Sequence, residues 1–266
     1  MTSALAATFW WQYTAPSSLP NIEVYYDGSA NTTTTFNNGS IASGMEITSW
    51  HNYGVLPSHD WNSTGGQRPE WYSNIQNGLG VVRFNSTTTG SPSGEDADTN
   101  ENLTINPVAY LQSLPAATMI LVFRSLSANS GTRYTCSTDT SGFQWGQNGT
   151  TWTGGFAGAT YTVDSITADT NFHYVVISFD GSQTGNANRL KVRLDSIDST
   201  LTFTGTVGTI TSAVAKYFYG GATGNATGAT SSYWIGDIGE LMIFTRSLSA
   251  SEIITIENYL STKWAL

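Results

Sequence analysis

The stretch from Gly239 to Trp264, "GELMIFTRSLSASEIITIENYLSTKW", sets an apolar strand directly before a well-formed helix start. In its first half, Leu241, Ile243 and Thr245 fall on one side and Met242 and Phe244 on the other. Side chains alternate across a strand, so apolar residues on both sides describe a sheet covered on both faces. Ser249 and Glu252 then stand at the spacing of a capping box, in which each side chain takes an orphan backbone N–H at the helix start. Ile253, Ile256, Leu260 and Trp264 follow as one helical stripe. The stretch predicts a last core strand and a short amphipathic helix laid against it.

Upstream, the chain reads as many short strands with regular turn signals. "NIEVYYDGS", "SGMEITSW", "LGVVRFN", "PAATMILVFRSL", "GTRYTCSTD", "SGFQWGQNG", "GATYTVDS", "NFHYVVISFDGS", "NRLKVRLDS", "STLTFTG", "KYFYGG" and "SYWIGDI" are the strand candidates. "HNYGVLPSHDWNSTGGQRPEW" reads as an ordered loop or a set of very short pieces, and "STTTGSPSGEDADTNEN" as the most loop-like segment. The pattern is that of an all-β sandwich or jelly roll. No composition break divides it and no repeat is evident. The expected organisation is an N-terminal aromatic arm over residues 1–21 and one domain over residues 22–266.

Composition agrees. Of 266 residues, 39% are hydrophobic and only 11% charged, against about 25% charged in an average domain. Polarity comes from Thr, Ser, Asn and Gly, which suit sheet faces and tight turns. The net charge is −9 with ten Lys and Arg in all. A phosphate backbone or an anionic membrane needs clustered cations, so neither nucleic acid nor a membrane surface is an expected partner. The lone Cys136 rules out an intrachain disulfide and reads as a small packing hydrophobe. "MTSALAATFWWQY" lacks a basic n-region and predicts no secretory signal. Seven Asn-x-Ser/Thr sites then read as products of composition.

The segment "WIGDIGELMIFTRSLSASEIITIENYLSTKW" resembles the C-terminal signature of the laminin-G-like, concanavalin A-like jelly-roll family. That signature combines a Gly-Glu strand start, a hydrophobic strand, "R-x-L-S-x-x-E" and a helix ending near "K-W". "RPEWYSNIQNGLGVVRFN" and "FHYVVISFDGS…RLKVRLD" look like its earlier core strands. The resemblance implies a two-sheet antiparallel jelly-roll sandwich with a C-terminal helix. Such domains occur in carbohydrate binders, adhesion modules, enzymes and virion proteins, so fold alone does not choose a function.

The candidate chemistry is sparse. Glu95, Asp96, Asp98 and Glu101 lie in "GEDADTNEN". Glycan hydrolases of this fold carry Glu-x-Asp-x-x-Glu on a strand; Asp96, Asp98 and Glu101 have the spacing, but in a loop that would not hold two carboxylates about 5–5.5 Å apart. Asp96, Asp98 and Asn100 also match half of a calcium loop, although a solvated loop is the better reading. His51, His59 and Asp60 share one loop at no standard zinc spacing, and His173 shares a strand face with Val175, Ile177 and Phe179. No cofactor is expected.

Trp50, Tyr53, Trp61, Trp71 and Tyr72 form an aromatic cluster that suits stacking on sugars or filling a core, as do Trp145 and Trp152. Phe9, Trp10, Trp11 and Tyr13 make an arm that suits docking to a neighbour. The reading that follows is a protein that is not an enzyme, a structural component of a bacteriophage virion such as a head-decoration or tail-fibre protein. It would assemble with capsid or tail subunits, as a homo-oligomer. The alternative is a lectin-like adhesion module at the cell surface that binds host glycans, and after it a glycan hydrolase.

Overall fold

Antiparallel pairing of period-two runs builds two nine-stranded sheets. The computed structural model describes residues 19–20, 22–30, 35–36, 41–55, 59–63, 68–84, 101–105, 114–126, 129–138, 143–208, 218–224 and 230–266. With strands numbered along the chain, the first sheet runs β15 (Ile197–Asp198), β14 (Leu190–Leu194), β13 (Phe172–Asp180), β8 (Ala116–Ser125), β20 (Gly236–Phe244), β6 (Leu79–Phe84), β5 (Glu70–Gln76) and β2 (Met45–Glu46). β1 (Ile22–Asp27) pairs with the second half of β20. The second sheet runs β16 (Leu201–Thr204), β12 (Ala159–Thr167), β11 (Thr151–Phe156), β10 (Gln144–Gly149), β9 (Asn129–Thr138), β17 (Phe218–Gly220), β7 (Leu103–Ile105), β4 (Trp61–Asn62) and β3 (Ser49–Trp50). A small hairpin joins β18 (Thr223–Gly224) to β19 (Thr230–Ser231), and the helices are α1 (Asn186–Arg189) and α2 (Ala250–Trp264).

The expected two-sheet sandwich with a C-terminal helix is therefore present. Leu121, Val175, Ile177, Leu241 and Ile243 of the first sheet face Leu103, Trp145, Trp152, Tyr161 and Phe218 of the second in one buried cluster. The opposite face of the first sheet carries Ile120, Val122, Tyr174, Val176, Met242 and Phe244, which α2 covers with Ile256, Leu260 and Trp264. β20 is thus apolar on both faces because it has a partner on each. The capping box forms as expected: Ser249 Oγ accepts the Glu252 N–H and Glu252 accepts the Ser249 N–H. Arg246 adds a two-point ion pair to Glu252, at 3.0 and 2.6 Å. That guanidinium first, with the Ser249 donors, holds the Glu252 carboxyl down at about 2.

Two departures from the sequence reading have a clear cause. "SYWIGDI" is no separate strand, since its Gly236 to Ile238 already belong to β20. β11, "TWTGGF", was not expected as a strand because two glycines interrupt its period. Gly154 is needed there, since a Cβ would overlap the carbonyl of Gln144 and the Tyr161 hydroxyl.

β20 also carries a bulge between Ile238 and Glu240, with Gly239 the residue left out of the pairing with β8. The bulge lets Ile238 and Leu241 both face the inner core. A Cβ on Gly239 would stand 2.5 Å from the Trp264 ring, so the glycine makes the seat for the last side chain of α2. Gly239→Ala is expected to cost about 1–3 kcal/mol through overpacking. A lowered urea midpoint with an unchanged slope would show it, and an unchanged midpoint would mean that Trp264 is not seated tightly.

Candidate functional site

A concavity lies along one edge of the sandwich. There the short β15 ends the first sheet, and the chain crosses through Ser199 and Thr200 to β16, the edge of the second. The first turns of α2 form the third side. The groove has a volume of about 650 Å³. Its lining includes the apolar Leu201 and Phe203 of β16 and Ile253 and Ile254 of α2, and the polar Ser178, Lys191, Ser199 and the Arg193–Asp198 pair.

Each wall follows from local sequence. In β14, Leu190, Val192 and Leu194 point into the core, which turns Lys191 and Arg193 outward. Arg193 is fully committed: it meets Asp198 at 2.6 Å and Glu257 of α2 at 2.9 Å. Arg189 donates to the backbone oxygens of Gln183 and Val207, both at 2.7 Å, and Asn186 holds Gly205 and Val207 at 3.0 Å each. Lys191 stays exposed and donates no hydrogen bond among the described residues. The Ser199 hydroxyl is shielded within the groove wall and has no partner. Ile254 is 54% exposed on the helix rim. The groove thus combines apolar side chains of β16 and α2 with the exposed Lys191 ammonium and the Ser178 side chain.

Of the five aromatic residues that suited either stacking on sugars or filling a core, three fill the core and are removed from the glycan-binding candidates. Trp50 and Trp61 are fully buried and Trp71 is 7% exposed. Tyr26 stacks on Trp61 at 4.4 Å, and Trp61 and Trp71 spend their indole N–H groups on the carbonyls of Phe218 and Gly28. They fill the sandwich because Trp50 and Trp61 sit on β3 and β4 of the second sheet and Trp71 on β5 of the first. Tyr53 and Tyr72 are half-buried. The hydroxyl of Tyr53 meets Thr35, that of Tyr72 meets Glu70 at 2.5 Å, and Arg83 lies over the Tyr72 ring. Trp145 and Trp152 are buried as well.

Cys136 is a buried packing residue, and burial pushes its thiol up to about 12. His51 pairs with Asp60 at 2.9 Å, while His59 offers its carbonyl to Tyr26. No metal-holding group of His, Cys, Asp and Glu occurs among the described residues. Glu95, Asp96, Asp98 and Asn100, like Phe9, Trp10, Trp11 and Tyr13, lie outside the described residues. Glu101 is buried.

His173 is bound at both ring nitrogens, by Asp195 at 2.6 Å and Asp169 at 2.9 Å, with its ring against Trp152. Burial alone would lower its pKa, but the hydrogen bonds to Asp195 and Asp169 outweigh it and raise it. Two carboxylates are best met by a doubly protonated imidazolium. The cluster ties the start of β13 to the turn after β14 and is structural.

No family model matches this chain, and no curated protein matches it. Solved structures do. Trypanosoma rangeli sialidase in complex with sialic acid is 14% identical, with a TM-score of 0.52 over 93% of this chain and 34% of that one. Its covalent intermediate with 2,3-difluorosialic acid is 15% identical, with a TM-score of 0.50 over 92% and 34%. The Ruminococcus gnavus IT-sialidase CBM40 matches over 56% of this chain and 86% of its own, at 12% identity and a TM-score of 0.45, too loose to argue from. The chain thus spans about a third of the sialidases that it matches, and the likeness is one of fold.

These matches correct one expectation. The sequence, without an evident catalytic constellation, predicted a protein that is not an enzyme. The same sandwich occurs within sialidases, which are enzymes, so that expectation is withdrawn. None of the structures named above is a virion component, and virion location and virion partners find no support among them. No described helix is long and apolar enough to cross a membrane.

The imidazolium cluster has a pH signature. A raised histidine pKa contributes stability that is complete below the unfolded value, about 6.5, and is lost as pH rises through the folded value. The lowered Asp169 carboxyl works in the opposite sense and is lost on acidification. His173→Gln is expected to cost about 1–3 kcal/mol at pH 6 and clearly less at pH 9. Equal losses at both pH values, read from urea unfolding, would exclude a charged His173.

Proposed function

We propose that this chain is a carbohydrate-binding sandwich of the laminin-G-like, concanavalin A-like class, working outside the cell, and that it takes its saccharide in the edge groove. The observation that carries the reading is the mixed lining of that groove, apolar side chains of β16 and α2 together with Ser178 and Lys191. A sugar ring has a matching mixture, with C–H groups on its faces and hydroxyls around its rim. Phe203 and Ile254 supply the surface for the face; Ser178 and Lys191 supply partners for the rim. A volume of about 650 Å³ falls within the roughly 300–1,000 Å³ usual for ligand sites. The fold supports the reading, since the same sandwich occurs in a sialidase whose structure holds sialic acid. Assembly into a virion through Phe9, Trp10, Trp11 and Tyr13 has only the sequence behind it.

A glycan array that includes sialylated and neutral saccharides, followed by calorimetry on its hits, tests the site. Ile254→Asp and Phe203→Ala are each expected to weaken binding about tenfold or more, or roughly 1.4 kcal/mol. Ile254 is exposed, so its variant should keep the thermal midpoint of the parent. Glycan binding that survives both substitutions unchanged places the site elsewhere.

A further inference from the structure

The edge groove does not end at Lys191. A second concavity of about 240 Å³ begins there, and Ser178, Lys191 and Ser247 line both. Ser178 and Lys191 are direct partners across the β13–β14 pair, so they form a saddle between the two. The second concavity differs in character. Its walls come from Asp180, Gln183, Asn188 and Arg189, on the turn and short helix that join β13 to β14. Asp180 is already satisfied by Ser182 and Gln183. Gln183 and Asn188 spend amide N–H groups on Asp180 and on the Thr184 carbonyl. Their side-chain amide oxygens accept no hydrogen bond among the described residues, and Lys191 donates none.

On the reading that the groove binds glycans, we propose that its ligand is an internal stretch of a saccharide chain, several sugar units long. The chain lies from the Phe203–Ile254 ledge, over Lys191, into the Gln183–Asn188 concavity. A site that recognises one terminal sugar closes around it at one end. This one continues past the space that a single ring fills, and the continuation carries its own acceptors and a shared cation. The apolar ledge would anchor one unit by its face. The polar concavity would take the hydroxyls of units further along, with the Lys191 ammonium donating to oxygens where the two meet. Gln183 and Asn188 are therefore the length-reading residues, and Ile254 a general anchor.

The test is calorimetry on mono- to tetrasaccharides of the glycan series that wild-type protein binds on the array. Affinity is expected to rise about tenfold or more from monosaccharide to tetrasaccharide, a gain of roughly 1.4 kcal/mol. Gln183→Ala, which alters the second concavity alone, should remove most of that gain and leave monosaccharide affinity within about twofold, while Ile254→Asp weakens every length alike. Gln183 is exposed, and an unchanged thermal midpoint will confirm that its variant folds. Affinity independent of length, or a length gain that Gln183→Ala leaves intact, overturns this proposal while glycan binding stands. Failure of wild-type protein to bind any saccharide overturns the glycan reading itself, and this inference with it.

Discussion

Glu240 is a carboxylate shut away from water between a sheet and a helix, and the arrangement of the C-terminal third follows from satisfying it. It accepts hydrogen bonds from the Trp264 indole, the Tyr25 hydroxyl and the Tyr259 hydroxyl, each at 2.8 Å, and stands 3.2 Å from the Lys263 ammonium. Lys263 in turn meets Asp27 at 2.7 Å. Burial pushes Glu240 above the usual carboxylate range, and Lys263 opposes that. Lys263 itself is raised, because the charges of Glu240 and Asp27 outweigh the burial that would lower it. An isolated charge in that position would be costly; one with this many partners fixes geometry. Here it fixes β1, β20 and α2 to one another.

The position of the groove depends on that anchor at one remove. Its helical side is the first turns of α2, while the buried network grips the last ones. A helix held at Trp264 and capped at Ser249 has little freedom to pivot. The Arg246–Glu252 pair and the Thr118 hydroxyl, which accepts from the Leu248 N–H, add a second hold at the near end. The "RSLSASE" segment therefore has a mechanical meaning. It stops the strand, turns the chain across β8 and presents Ile253 and Ile254 at the sandwich edge. Arg193 completes the frame by joining β14 to Glu257. A binding wall built on secondary structure locked at both ends is suited to rigid recognition, with little ordering cost on association.

The strand–helix ending was legible because its information is local. Alternation showed two covered faces, and the capping box and stripe showed where the helix starts and which side it buries. The Gly239 bulge was not legible. Its cause is the Trp264 ring arriving from a helix, and a glycine in a strand looks the same whether it makes room or merely weakens the strand. Nor could the sequence separate Trp61, fully buried, from a tryptophan on the surface. A turn-rich loop and two residues of sheet read alike at that length. The groove was invisible for a different reason. It gathers Ser178, Lys191, Phe203 and Ile254 from strands of both sheets and a helix, and no spacing pattern joins them. Lys191 looked like the solvated half of an alternating strand, which it is, and only the tertiary structure places a concavity on either side of it.

The edge location also limits what can occupy the site. Free sheet edges ordinarily invite another strand, and proteins blunt them with short strands and charged residues. β15 is two residues long, with Asp198 tied back to Arg193, and β16 is four. Neither offers a run of backbone groups long enough for a stable added strand. An occupant of this groove must find its partners among side chains: hydroxyls, one ammonium, amide oxygens and an apolar ledge. An extended peptide would leave most of its own backbone donors and acceptors unmet there, at a cost for each one taken out of water. A saccharide brings polar groups around a ring with apolar faces, and its hydroxyls can turn to whichever partner is near. The geometry that keeps the sandwich from adding strands is thus the same geometry that suits it to a hydroxylated chain.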